Sequence, residues 1–199
     1  MHALIPTRNR NTARRGFTVP EAMIGIVVLS VTAASLLLAL DSGLAAGEAS
    51  VHQAMADGLA ASLLEEACAQ RYHDVLQPWN QATLGPEAGE SSRDLFDDID
   101  DYHNCISSPP QDRWGVAVGL GDGQGNAREA IMRHFPTQLA TWRTRVTVNY
   151  VNPANLTQTS ATPTTVRRVT VFVERPQGAG WREIARATRM VGYAESVAN

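Results

Sequence analysis

The sequence predicts an α+β protein in which one long N-terminal helix, membrane-spanning at first and amphipathic beyond, packs on a small antiparallel sheet. Three observations carry this. Residues 22–40 (AMIGIVVLSVTAASLLLAL) form a run of 19 without a charge. The stretch from Ser42 to Arg71 contains no proline and repeats apolar residues at helical spacing. The last third alternates apolar and polar residues with the period of two expected of half-buried strands.

In chain order, residues 1–16 make a basic leader with Arg8, Arg10, Arg14 and Arg15 and no acid. The formal charge of −3 therefore hides a clearly acidic body, which argues against a nucleic-acid partner. Residues 17–40 follow as a transmembrane helix. At about 1.5 Å per residue, 19 apolar residues cross the roughly 30 Å hydrocarbon core. The arginines before it and Asp41 and Glu48 after it orient the C-terminal body away from the cytoplasm. A secretory signal would have a shorter apolar core and end in a small-residue cleavage site, for which LDSGLAAGEA is the nearest match. An uncleaved signal anchor is the other simple alternative. Glu21 fits neither. A carboxylate at the head of a membrane helix is costly, so it marks a functional position whose partner must be named.

The run Arg14-Arg15-Gly16-Phe17-Thr18-Val19-Pro20-Glu21, with the apolar stretch behind it, resembles the leader junction of type IV prepilins and type II secretion pseudopilins. The resemblance implies cleavage after Gly16 by a prepilin peptidase and N-methylation of the exposed Phe17. It gives Glu21, five residues into the processed chain, a role in assembly. It also implies a single-pass protein of the bacterial inner membrane with a periplasmic, pilin-like body, whose partners are the peptidase, the membrane and neighbouring subunits of a pilus or pseudopilus. The new α-amino group on Phe17 would be positive, and Glu21 of an adjacent subunit would pair with it strongly in a low dielectric. Pro20 is tolerable because the first helical turn has no intrahelical acceptors to lose. Where the family's major subunits often carry a proline, this chain has Leu38, which fits a minor subunit.

Residues 41–72 are the amphipathic continuation of the helix, with a stripe of Leu44, Val51, Met55, Leu59 and Leu63 expected to pack on the protein's own sheet. Residues 73–199 form the globular domain. Residues 77–93 are rich in Pro, Gly and Ser and read as a loop. Residues 94–101 carry five aspartates in eight positions. They can be read as a calcium cluster, although the spacing is not that of an EF-hand. The simpler reading is a solvated acidic turn with Leu95, Phe96, Ile99 and Tyr102 facing the core, and no metal or other cofactor is assigned. The same segment, on to Cys105, resembles a stretch of minor pilins of the mannose-sensitive haemagglutinin type.

Residues 114–119 read as a short strand. The glycines after it do not form G-x-G-x-x-G, because Gln124 stands at the last required position, and no βαβ unit surrounds them. Asp122 and Asn126 add a faint second calcium possibility. Strands are expected at 142–151, 165–173 and 181–191, with a polar, turn-rich connection at 152–163. Cys68 and Cys105 are too far apart for a C-x-x-C motif. In an oxidising compartment they can pair as one intrachain disulfide between the helix end and the acidic loop, and two buried thiols are the alternative. His52, His73, His103 and His134 are scattered, and Ser107 and Ser108 lack a G-x-S-x-G elbow. Neither an enzyme nor a small-molecule substrate is expected. The competing function is that of a signal-anchored periplasmic binding protein that never enters a filament.

Overall fold

A computed structural model describes residues 16–133 and 137–194. One helix, α1 (Val19–Cys68), is followed by five strands: β1 (Ile106–Ser107), β2 (Arg143–Asn152), β3 (Asn155–Thr159), β4 (Val166–Gln177) and β5 (Gly180–Gly192). The protein is α+β. Two compact units divide within α1, residues 1–49 and 50–199.

The first unit is the head of α1. Among the described residues, α1 is the one helix long and apolar enough to cross a membrane. Its polar side chains satisfy themselves. The hydroxyls of Ser30, Thr32 and Ser35 donate to the carbonyls of Ile26, Val28 and Val31 at 2.7–2.8 Å, so none would meet hydrocarbon bare.

The second unit packs the end of α1 on the sheet. Neighbouring strands are all antiparallel, in the order β1-β2-β4-β5, with β3 hairpinned onto the end of β2. Val146 faces Val171 and Val148 faces Val169 across β2 and β4, and all four are fully buried. Against them lie Ala56, Ala60, Leu63, Leu64 and Ala67 of α1. Three of these five residues are alanines. The buried face is therefore rotated from the expected stripe: Leu63 is buried and Met55 and Leu59 partly so, while Leu44 and Val51 are exposed. On the opposite face of the sheet, Arg143 and Arg145 bind Glu174, and Arg145 lies 4.0 Å over the Phe172 ring.

The three long strands lie where alternation places them. Two expectations change. The connection at 152–163 contains β3, whose exposed residues pair with β2 from Asn152↔Asn155 to Val151↔Thr159. Residues 114–119 form no strand. Asp112 explains this, because its Oδ1 accepts the amides of Trp114 at 3.0 Å and Val116 at 2.9 Å and so removes donors that a ladder would need. Gly115, at φ 80°, completes that turn. Asp122 repeats the device with the amides of Gln124 and Asn126, and these bonds hold its carboxyl below the ordinary carboxylate range. Its second oxygen accepts from the Asn126 side chain, so both Asp122 oxygens take part in the turn.

Candidate functional sites: a helix head and a buried acidic pocket

The head of α1 is set by local chemistry. The carbonyl of Thr18 accepts the Ala22 amide at 3.0 Å, which makes Thr18 the N-cap. Glu21, three residues on, reaches back: its Oε2 lies 3.5 Å from both the amide and the hydroxyl of Thr18. Thr18-x-x-Glu21 thus has the return arm of a capping box, the glutamate accepting the N-cap amide, while the Thr18 hydroxyl donates to the same carboxylate. Sequence reasoning singled out Glu21 and missed this cap, although the T-x-x-E signal was present. Gly16 and Phe17 precede the helix, and Phe17 is 82% exposed. A cut between them would remove no helical residue. Arg8, Arg10, Arg14 and Arg15 lie outside the described residues, as does His134.

The acidic segment is not a solvated turn. Phe96, Ile99 and Tyr102 are buried as expected, but Leu95 is exposed, and Asp98, Asp100 and Asp101 are fully buried. Three anchors hold it. Arg93 makes a two-pronged bond to Glu66 of α1 at 2.7 and 3.1 Å, and Tyr102 Oη donates to the same carboxylate at 3.0 Å. The backbone of Arg71 pairs with Asp97 and Ile99. Asp100 accepts from the fully buried Arg167 of β4 at 2.5 Å and from the Gln81 side chain. Arg167 also donates to the Tyr72 carbonyl and to Tyr150 Oη.

Asp100 is therefore paired with a cation, and Asp97 lies 3.4 Å from the exposed Arg71, while Asp98 and Asp101 have no ion pair among the described residues. Asp98 Oδ1 caps the amides of Asp100 and Asp101, and Asp101 Oδ2 caps those of Asp97 and Asp98. The other oxygens, Asp98 Oδ2 and Asp101 Oδ1, have no hydrogen-bond partner among the described residues, nor have Asp97 Oδ1 and Glu87 Oε2. Glu87, Asp98 and Asp101 bring carboxylate oxygens within 4.8 Å of one another, and Glu90, Asp97 and Asp101 do the same. Two full charges 4 Å apart repel by about 4 kcal/mol at an effective dielectric near 20. Burial, with the Asp100 and Asp101 carboxylates beside it, pushes Asp98 up to about 8. Burial and the adjacent Asp101 push Glu87 up to about 7, and burial raises Glu90 as well.

Cys68 and Cys105 are unbonded thiols, each half-buried against the apolar core. They face different ion groups, Arg189 and Glu65 for Cys68 but Arg93 and Glu66 for Cys105. Burial raises both thiols above their ordinary value. Since the thiolate is the nucleophile, native protein should react with a disulfide reagent at pH 8 at least about tenfold more slowly than unfolded protein. The rate should keep climbing above pH 9, and denatured, unreduced chain should show two thiols. A count of zero would contradict the thiol state.

The remaining candidates are structural. His103 Nδ1 accepts the Val148 amide at 3.2 Å, and the His73 ring packs against Tyr193. A separate concavity of about 760 Å³, mostly apolar, lies along α1 between Met55, Leu59, Leu63, Trp114 and Val118. Comparisons with protein-family models, curated proteins and solved structures find no match for this chain.

Proposed function

We propose that this chain is a structural subunit, a minor pilin or pseudopilin, cut after Gly16 by a prepilin peptidase and built into a type IV pilus or type II secretion filament. The observation that carries the reading is the register of the N-terminus: basic leader, Gly16, Phe17, Glu21 and an apolar helix, with α1 beginning at Val19 just past the proposed cut. The helix would anchor the subunit in the inner membrane and then bury against other subunits. Glu21 would pair with the α-amino group made at Phe17 of a neighbour.

Gly16→Ala tests the reading. A side chain at the residue before the cut should block the peptidase, so the variant should accumulate as precursor in the inner membrane. Normal processing of that variant would contradict the leader assignment.

A second reading is supported by one observation. The concavity beside Met55 and Trp114 falls within the roughly 300–1,000 Å³ typical of ligand pockets. It supports a signal-anchored periplasmic binding protein, which would keep residues 1–16 and stay out of filaments.

A further inference from the structure

We propose that the pocket formed by Glu87, Asp98 and Asp101 is a calcium site. Three carboxylates converge there, a second triad of Glu90, Asp97 and Asp101 shares Asp101, and four oxygens of the five residues have no hydrogen-bond partner among the described residues. Two of those oxygens, Asp98 Oδ2 and Asp101 Oδ1, belong to side chains with no solvent exposure. Buried carboxylate oxygens are normally hydrogen-bonded or bound to a cation, and carboxylates brought within 4.8 Å of one another call for positive charge. Arg167, the fully buried cation that reaches this segment, is spent on Asp100.

The donor set selects the ion. It is all oxygen, with no histidine or cysteine in either triad, which favours a hard cation over zinc or copper. Two oxygens on one calcium lie at most about 5 Å apart, since each bond is about 2.3–2.6 Å. Glu87, Asp98 and Asp101 meet that bound, with one oxygen of each within 4.8 Å of the others. Magnesium, with bonds near 2.0–2.1 Å, demands a tighter cage and retains more water. Glu90 and Asp97 form the second triad with the same Asp101 and add to the negative field. The backbone amides on Asp98 Oδ1 and Asp101 Oδ2 hold each carboxylate with its other oxygen turned away from the amides. The ion would fasten the loop around residue 87 to the segment that carries Asp100, and so to Arg167 and β4. This inference is independent of filament assembly, and its test reads binding alone.

The experiment uses the full chain in detergent, stripped with chelator and titrated with calcium chloride or magnesium chloride. Calcium should bind saturably by calorimetry. At a hundredfold excess over Kd it should raise Tm by about 5–10 °C. Magnesium should give a clearly smaller shift. Asp98→Asn keeps the oxygen that caps the backbone but removes the charge. It should melt in chelator at or above the parent temperature and lose the calcium shift. Glu87→Gln, at a half-buried position, should behave in the same way and decides the matter if Asp98→Asn does not fold. No calcium heat and no Tm shift up to about 10 mM, well above the weak extracellular calcium range, would overturn the site. So would an equal response to magnesium, or an undiminished calcium shift in both variants.

Discussion

Glu21→Ala should leave cleavage after Gly16 intact and keep the body's Tm within about 1 °C of the parent, yet remove the chain from purified filaments. The first two outcomes follow from position. Glu21 lies in the first turn of an exposed helix head, and the core residues of α1 begin at Ala56. The third follows from charge. A carboxylate paired with a neighbour's α-amino group in a low dielectric contributes far more than in water, and losing only about 1.4 kcal/mol already lowers incorporation tenfold. The cap offers a competing account, because Glu21 also reaches the Thr18 amide. Glu21→Gln separates the two. Glutamine serves a capping box as glutamate does but carries no charge. If intersubunit pairing is the role, Glu21→Gln fails to assemble like Glu21→Ala. If it assembles normally, the cap is sufficient and the pairing is wrong. If neither variant is cleaved, Glu21 belongs to peptidase recognition.

Arg167→Met should cost the body about 3–5 kcal/mol, because it strands a fully buried Asp100 without its cation. For a domain of this size that lowers Tm by about 10 °C or more. The Tyr72 carbonyl and Tyr150 Oη lose their partner in the same step. Combining Arg167→Met with Asp100→Asn should recover part of the loss, since the stranded charge is then gone, and the two changes should couple by more than about 1 kcal/mol. A loss below about 1 kcal/mol in the single variant would show that the pair does not hold the acidic segment to β4.

The long strands were legible because Val146, Val148, Val169, Val171 and Val173 alternate with polar residues, and only one register buries them together. That alternation also places Arg167, and not Arg168, on the inner face of β4. An inward arginine demands a buried acid, so the sequence held a signal that one aspartate of the 94–101 segment was internal. Which aspartate it was depends on packing between residues 67 apart, beyond any local pattern. The strand expected at 114–119 failed for a local reason, the capture of its amides by Asp112. The shifted face of α1 was hard to read because three of its five buried residues are alanines, which a search for a stripe of large apolar residues passes over. At the helix head the resemblance and the residues agreed on Glu21, while its reach back to the Thr18 amide went unread.

The central claim is tested most directly by the N-terminus of the chain extracted from membranes of a host with an active prepilin peptidase. Intact mass and N-terminal sequencing should give a chain that begins at N-methylated Phe17. A chain that still carries residues 1–16 would contradict the account.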